Sequence, residues 1–239
     1  MSPTVLPGQE TLLACWSALA QLSSGASIHH DPLVTAAVFP SWAPLNNAIV
    51  LGGSGLAAAD RAAPLYCKSG VDVWALWLPS RITDLEAPDQ IGEIGALKRD
   101  TTTLVMRASL SAGLRHDERV VRTSIATATR AGDEPVPVED LGEPDRLPCL
   151  RAWALVRDEQ AVAAAWSFVH RSDCGIYAVG TVPAMRRRGF ARALVEHVLA
   201  DAWRAGARTA SLQSTLMGRP LYESLGFEPV GRYEEWISR

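Results

Sequence analysis

The sequence predicts an α/β (α+β) fold, because strand-like and helix-like patterns alternate along its 239 residues. The clearest patterns lie in the C-terminal third. Tight turns at 157–160 and 171–173 separate runs of apolar residues, which is typical of neighbouring strands. A continuous apolar run at 176–182 predicts a buried strand, and the stripe of Leu194, Val198 and Ala202 predicts a helix over 190–205.

The other elements follow from the same periodicities. In the C-terminal part, strands are expected at 151–156, 161–170, 209–213 and 230–237, and a short helix at 217–225. In the N-terminal part, helices are expected at 9–22 and 56–68, and strands at 47–51, 71–78, 101–110 and 119–129. The segment after the first helix is rich in Ser, Gly and His and predicts a loop through His29-His30.

The composition excludes several classes of protein. A formal net charge of −3 gives no global attraction to nucleic acid. No apolar run reaches the roughly 20 residues that span a membrane, and the first residues lack the basic start of a secretory signal. The four cysteines match neither a metal knuckle nor a CxxC pair, so the sequence predicts reduced thiols, no metal and a cytoplasmic location.

The most informative segment joins the buried strand at 176–182 to the helix at 190–205. Three arginines at 186–188 precede Gly189, and the small residue Ala191 and Arg192 follow. A helix N-terminus carries unpaired N–H groups and a partial positive charge, and glycine lets the backbone approach a ligand closely. This order of strand, glycine, small residue and helix predicts an anion site that suits phosphate.

Two motifs in this region resemble those of a known family. The spacing Arg186-x-x-Gly189-x-Ala191 after a strand is similar to the acyl-CoA signature of the GCN5-related N-acetyltransferases (GNAT). The segment 221–227 is similar to the second signature of that family. The resemblance covers about 151–239. It implies a GNAT fold, a mixed and mostly antiparallel sheet that opens between its fourth and fifth strands, with coenzyme A in the opening.

The resemblance also implies residue roles. Backbone groups of Val179 and Thr181 would pair with the pantetheine arm, and an N–H near Val179 would stabilise the oxyanion of the reaction. Tyr222 would protonate the departing CoA thiolate. The main-chain amides that would hold the pyrophosphate are those of Arg187, Arg188, Gly189, Phe190, Ala191 and Arg192.

Some positions depart from the family pattern. Thr215 stands where Asn is frequent, and Gly218 stands where a small Ala is usual. The strand at 176–182 carries no carboxylate, so the general base is open. The candidates are His170, Asp173, Glu234 and Glu235, with a water chain or an amine that arrives neutral as alternatives.

The N-terminal half supports competing interpretations. The chain divides into an α/β half at 1–115 and a GNAT-like domain at 116–239. Segment 64–71 resembles 220–227 with one residue deleted, which favours the hypothesis of a degenerate GNAT-like copy; rearrangement of the usual first elements is the alternative. Alternatively, the strand at 47–51 leads into Gly53-x-Gly55-x-x-Ala58, which is close to a dinucleotide fingerprint.

Together the patterns predict an acetyl-CoA-dependent N-acetyltransferase, an acyltransferase that moves the acetyl group directly to a primary amine. Its expected partners are acetyl-CoA as acyl donor and an amine acceptor, with no nucleic acid and no membrane; a homodimer is left open. Two alternatives are a non-catalytic acyl-CoA sensor and the dinucleotide-binding protein.

The acidic segment 132–148 predicts an exposed loop, or alternatively a lip that attracts a cationic substrate.

Overall fold

Twelve strands form one continuous sheet in the computed structural model, which describes residues 5–81, 93–125, 128 and 147–238. The predicted acidic loop at 132–148 lies almost entirely outside the described residues. The helices are α1 (Gln9–Leu22), α2 (Gly55–Lys68), α3 (Phe190–Arg204) and α4 (Arg219–Glu223). The strands are β1 (Ser27–His30), β2 (Val34–Val38), β3 (Asn47–Val50), β4 (Ala75–Arg81), β5 (Glu93–Ile94), β6 (Leu97–Ser109), β7 (Val120–Thr123), β8 (Leu150–Arg157), β9 (Gln160–His170), β10 (Asp173–Thr181), β11 (Thr209–Ser214) and β12 (Glu228–Ile237).

The strand order is β1-β2-β3-β4-β12-β6-β11-β10-β9-β8-β7, with β5 paired to β6. Among the strand pairs within the described residues, only two are parallel, β3 with β4 and β10 with β11. A helix bridges each of these pairs, α2 in the first and α3 in the second, as a parallel connection requires. The predicted mixed and mostly antiparallel sheet is therefore confirmed.

The two halves of the chain exchange strands at the centre of this sheet. The last strand, β12, lies between β4 and β6 of the N-terminal half. In turn, β6 lies between β12 and β11 and so completes the sheet of the C-terminal half. Tyr233 of β12 pairs with Pro79 on one side and with Thr103 on the other. Neither half has a complete sheet without a strand from the other.

Alternate side chains of these strands fill cores on opposite faces. On β6, Val105 packs on the face covered by α1, whereas Leu104 and Met106 pack beneath α3. On β3, Ile49 faces the α1 side and Ala48 faces α2. Helices α2 and α3 therefore share one face of the sheet, and α1 covers the other.

The structure corrects several expectations about local structure. The segment containing His29 and His30 is not a loop but includes β1, which pairs with β2; such short strands give little periodicity to detect. The strand expected at 119–129 ends at Thr123, and Ile125 and Ala128 are helical. The short helix expected at 217–225 spans only Arg219–Glu223.

The two similar segments of the sequence, 64–71 and 220–227, do not occupy equivalent positions in the fold. Residues 64–68 form the last part of α2, which connects two parallel strands. Residues 220–223 belong to α4, which instead follows β11 and leads to β12. Any relation between the two halves must therefore be based on their topology and not on this short match.

The strand exchange predicts that a lesion in β12 destabilises the whole chain. A Cβ atom on Gly231 would lie 2.6 Å from Leu6 Cδ2 and 2.7 Å from the Ser80 carbonyl oxygen. We expect Gly231→Ala to lower the free energy of unfolding by about 1–3 kcal/mol because the backbone must shift. Thermal unfolding should show one cooperative transition at a lower Tm.

The matched control is Glu228→Ala, which alters an exposed residue of the same strand and should leave the Tm nearly unchanged. Two separate transitions, with one at the wild-type temperature, would show that the halves unfold independently and would contradict this prediction.

Candidate active site

A cleft opens in the sheet where β10 and β11 separate. The two strands pair only over Asp173–Gly175 and Thr209–Ser211, and then diverge towards their carboxyl ends. The cleft has a volume of about 760 Å³. Its walls come from β10, the loop after it, the first turn of α3, the end of β11 and α4.

The β10 wall is shaped by a bulge. The register between β10 and β9 shifts between Tyr177 and Gly180, and Ala178 adopts a left-handed conformation with φ of 51°. Beyond the bulge, the N–H of Val182 donates to the carbonyl of Val162 on β9. Because backbone groups alternate sides along a strand, those of Thr181 are directed away from β9, towards the cleft, and Val179 lines the cleft within the bulge.

The loop at 186–192, which the sequence predicts to bind an anion, leads into the N-terminus of α3. Gly189 caps the start of α3 with φ of 80°, and Arg187 also has a positive φ, 62°. A Cβ atom built on Gly189 meets no other atom within 4 Å, so the space above this backbone is open. The first N–H groups of α3 lack partners within the helix and point towards this opening.

The arginines of this loop differ in their contacts. Arg186 Nε donates to the carbonyl of Thr181 at 3.2 Å, and Arg188 contacts the sulfur of Met185. Arg192 Nη1 donates to Ser224 Oγ at 2.8 Å, and its other Nη lies 3.3 Å from Glu196. Arg192 therefore ties the first turn of α3 to the residue after α4.

The opposite wall carries Tyr222. The side chain is 8% exposed and packs edge-on against Phe227 with ring centroids 5.8 Å apart. Burial raises the pKa of the Tyr222 phenol to about 12. The phenol is consequently protonated at neutral pH and holds a proton that it can donate.

The two departures from the family pattern lie beside Tyr222. Thr215 Oγ1 accepts a hydrogen bond from the N–H of Gly218 at 3.2 Å, which closes the turn before α4. A Cβ atom on Gly218 would lie 3.2 Å from Tyr222 Cε2 and 3.1 Å from Ser214 Oγ. Glycine at this position therefore gives the Tyr222 ring room.

The structure brings most of the predicted residues together. Those that line the cleft are Val179, Thr181, Arg187, Gly189, Phe190, Ala191, Arg192 and Tyr222. Arg188 is exposed and is not among the lining side chains. Sequence reasoning missed Ala178, Gln213 and Met217, which also line the cleft. No sequence pattern marks the bulge, because Ala is an unusual residue for a positive φ.

Two of the four candidate bases lie away from the cleft. His170 and Asp173 lie at the end of β9 and the start of β10, whereas the cleft opens at the other end of β10. Asp173 also accepts hydrogen bonds from three hydroxyls, those of Thr11, Thr209 and Ser211, at 2.6–2.7 Å. These contacts indicate a structural role at the base of the sheet.

The two glutamates of β12 differ from each other. Glu234 is buried and accepts a hydrogen bond from Arg232 Nη2 at 3.0 Å. Glu235 is half-buried on the α1 face. Burial and the charge of Asp100 raise the pKa of Glu235 to about 7, against the opposing effect of hydrogen-bond donors on Thr103 and Trp77.

The competing dinucleotide motif lacks space for a ligand. A Cβ on Gly53 would lie 3.1 Å from Leu33 Cδ2, and one on Gly55 would lie 2.9 Å from Ile94 Cδ1. Side chains therefore fill the space that a pyrophosphate would need above these glycines. The sequence also offers Asp72 as the acidic residue that such a fingerprint carries about 20 residues after its glycines. Asp72 precedes β4 instead of following its carboxyl end, where a ribose-binding acid belongs. The structure does not favour this alternative.

Within residues 5–81, 93–125, 128 and 147–238, no group of three or more His, Cys, Asp or Glu side chains could hold a metal ion. Within the same ranges, no helix is long and apolar enough to cross a membrane.

Comparisons with known proteins agree with this geometry. Residues 149–229 match the family model of the acetyltransferase (GNAT) domain. A GCN5-related N-acetyltransferase from Kribbella flavida has a similar structure, with a TM-score of 0.66, 14% identity, and coverage of 98% of this chain and 96% of that one. A search of curated protein sequences finds no significant match.

Two other solved structures have the same fold. A putative acetyltransferase of the GNAT family from Novosphingobium aromaticivorans has a TM-score of 0.61 at 16% identity, covering 98% of this chain and 97% of that one. A GCN5-related N-acetyltransferase from Sphaerobacter thermophilus has a TM-score of 0.59 at 16% identity, and the match covers 96% of this chain and 84% of that one.

The family model and the structural comparisons agree on the class of fold. The chain has the GNAT fold along almost its whole length, and its residues 149–229 match the model of the acetyltransferase (GNAT) domain. The family resemblance found in the two sequence motifs is confirmed.

Because the space above Gly189 is open, a side chain placed there should interfere with coenzyme A binding. We expect Gly189→Asp to weaken coenzyme A binding roughly tenfold or more, because it places a negative charge at the helix N-terminus where the pyrophosphate would lie. Isothermal titration calorimetry with coenzyme A measures this change.

Gly206 provides the matched control, since it follows the other end of α3, has φ of 100°, and also has open space around it. Gly206→Asp introduces the same side chain at another left-handed glycine without touching the cleft. Equal affinities of both variants for coenzyme A would contradict the location of the site.

Proposed function

We propose that this protein is an acetyl-CoA-dependent N-acetyltransferase that transfers the acetyl group directly to a primary amine. One observation carries the proposal: the cleft between β10 and β11 joins an open helix N-terminus at Gly189 to a buried phenol at Tyr222. If the pyrophosphate of acetyl-CoA lay at Gly189, the rest of the molecule would extend along β10 and bring its thioester towards Tyr222.

The binding roles follow from this placement. The pyrophosphate would accept hydrogen bonds from main-chain amides between Arg187 and Arg192. The pantetheine amides would pair with the backbone groups of Val179 and Thr181 on the cleft side of β10, as an added strand pairs with a sheet edge. The carbonyl of Thr181 also accepts from Arg186, so its N–H is the freer partner.

The chemistry can be followed atom by atom. The neutral amine nitrogen attacks the thioester carbonyl, and negative charge develops on the carbonyl oxygen. A main-chain N–H turned inwards by the bulge near Val179 would stabilise that charge. The C–S bond then breaks, the Tyr222 phenol gives its proton to the leaving thiolate, and the nitrogen loses one proton to solvent or to a base. The products are the N-acetylated amine and coenzyme A.

Direct transfer is consistent with the positions of the cysteines. Cys15 and Cys174 are buried, and burial raises the pKa of the Cys174 thiol to about 12, so it is a poor nucleophile. None of the four cysteines lines the cleft. All four are free thiols, which agrees with a reducing location such as the cytoplasm.

The N-terminal half, residues 1–115, would be a degenerate copy of the GNAT unit at 116–239. The unit β3-α2-β4 has the same topology as β10-α3-β11, and each parallel pair is joined by three residue pairs. However, β3 ends at Val50, after the paired segment, and has no extension like that of β10 from Ile176 to Thr181. This half would therefore have no wall for a cleft of its own.

Removing the Tyr222 hydroxyl tests the catalytic assignment. We expect Tyr222→Phe to lower kcat about 100-fold at neutral pH, because the thiolate leaves without a proton donor. The affinity for acetyl-CoA should change little. Release of free thiol from acetyl-CoA with a panel of primary amines measures kcat, and calorimetry measures affinity.

A suitable control is Tyr66→Phe, which removes a hydroxyl that donates to the Ala37 carbonyl far from the cleft. An unchanged rate in Tyr222→Phe would remove this residue from the mechanism. Binding of acetyl-CoA by the wild type without turnover of any amine would favour the sensor alternative.

The shortened β3 predicts one acetyl-CoA site per chain. Calorimetric titration should give a stoichiometry near one, and Gly189→Asp should weaken that single site. NAD and FAD should show no micromolar binding, because side chains fill the glycine loop of the N-terminal half. A second site that persists in Gly189→Asp would show that the N-terminal half retains a functional cleft.

A further inference from the structure

The cleft ends where β10 and β11 come together. Gly175 and Ser211 form the last pair between these strands, and the next two residues of β10, Ile176 and Tyr177, both line the cleft. Their side chains lie on opposite faces of the sheet, because Ile176 belongs to the core beneath α3 and Tyr177 packs against the core beneath α1. These two residues therefore close the inner end of the cleft, one on each face.

The ring of Tyr177 lies back along its own strand. A Cβ atom built on Gly175 would lie 2.1 Å from Tyr177 Oη and 2.4 Å from Tyr177 Cζ, on the same face of β10. The ring thus covers Gly175 and, with it, the last pair of the two strands. Any side chain at position 175 would exclude the ring from this place, because such contacts are far shorter than van der Waals distances.

Packing, and not its hydroxyl group, holds the Tyr177 ring in place. No described residue forms a hydrogen bond with this hydroxyl, whereas those of Tyr66 and Tyr233 bond to the Ala37 carbonyl and to Gln9 Oε1. Burial raises the pKa of the Tyr177 phenol well above its usual value, so the group is uncharged at neutral pH. The side chain therefore closes this end of the cleft with the bulk of its ring.

The proposed donor would bring its acyl group to this ring. With the pyrophosphate at Gly189 and the pantetheine arm along Thr181 and Val179, the molecule would run down β10 towards Tyr177. Two residues separate Val179 from Tyr177, which is at most roughly 7 Å along a strand. Acyl carbons beyond a thioester near Val179 would therefore meet the closed end of the cleft.

The two faces at this end differ in how tightly they are closed. On the α3 face, Ile176 is 2% exposed, and Leu212 and Tyr222 are buried in the same core. A longer acyl group would have to displace several packed side chains there. On the α1 face, Tyr177 is only half-buried, at the border between the cleft and the core. The Tyr177 ring is therefore the side chain that decides whether a longer acyl group fits.

We propose that the ring of Tyr177 limits the acyl group of the donor to a short chain, so that the protein selects acetyl-CoA against butyryl-CoA and longer donors. The ring acts by steric clash, which discriminates between ligands that share all their other contacts. This inference rests on the proposed acetyltransferase function and adds to it the residue that sets donor specificity.

The test measures donor binding by calorimetry. Coenzyme A, acetyl-CoA, butyryl-CoA and hexanoyl-CoA are titrated into the full-length protein without an acceptor. We expect the wild type to bind acetyl-CoA roughly tenfold or more tightly than either longer donor. Tyr177→Ala should bring these affinities to within about threefold of each other, because it removes the ring that blocks the longer chains. Tyr177→Phe should retain the wild-type preference, because it removes only the hydroxyl.

Gly175→Ala tests the same geometry while keeping the ring. Its Cβ atom would push the Tyr177 ring off β10, and because the core beneath α1 is packed, the ring would move into the cleft. We expect this variant to bind acetyl-CoA roughly tenfold or more weakly than the wild type. Its affinity for coenzyme A, which has no acyl group, should change little. Adding Tyr177→Ala to Gly175→Ala should restore acetyl-CoA binding.

Equal affinities of the wild type for acetyl-CoA and hexanoyl-CoA overturn the inference. So does an unchanged preference in a Tyr177→Ala variant that still binds coenzyme A, or wild-type binding of acetyl-CoA by Gly175→Ala. If Tyr177→Ala does not fold, the wild-type preference and Gly175→Ala decide the question. Because no acceptor is present, donor binding without transfer to any amine would contradict the proposed function and leave this test valid.

Discussion

The exchange of β6 and β12 is the constraint on which the rest of the structure depends. Each of these central strands pairs on both sides, so every hydrogen-bonding edge at the middle of the sheet is satisfied by the other half of the chain. The arrangement joins two incomplete β-α-β units into one sheet whose cores share α1. The match to the GNAT domain over 149–229 ends at the start of β12, whereas the sheet neighbours of β11 and β12 include strands from residues before 110.

The cleft lies where the pairing between β10 and β11 ends within this continuous sheet. β10 is held by β9 along almost its whole length, whereas its pairing with β11 ends after three residue pairs. The bulge at Ala178 lies beyond the last of these pairs, and no strand pairs with Val179 and Thr181 on the side of β11. The unpaired edge, the uncapped N-terminus of α3 and the buried phenol of Tyr222 then surround one elongated space, which suits a long donor with a phosphate at one end and a thioester at the other.

Sequence patterns predicted the C-terminal elements well because those elements are long or strongly periodic. The α3 stripe and the glycine loop are local features, and so the positions of Gly189 and Ala191 followed from spacing alone. Two short strands, β1 and β2, were missed, and His29 and His30 with them, because four or five residues give too little periodicity. The bulge was missed because Ala178 has a conformation stabilised by its surroundings, not by its own preference.

By itself, the sequence determined the kind of fold. It also predicted an anion loop at 186–192 and a candidate acid at Tyr222, since both are specified by residues close together in the chain. Tertiary structure decided the rest. It showed that side chains occupy the space next to Gly53 and Gly55, and that His170 and Asp173 lie at the end of the β9–β10 pair away from the cleft. It also showed that Glu235 pairs across the sheet with Trp77 and does not line the cleft. These facts depend on which strands become neighbours across more than one hundred residues. Such pairing is set by the packing of the whole sheet, which no local pattern encodes.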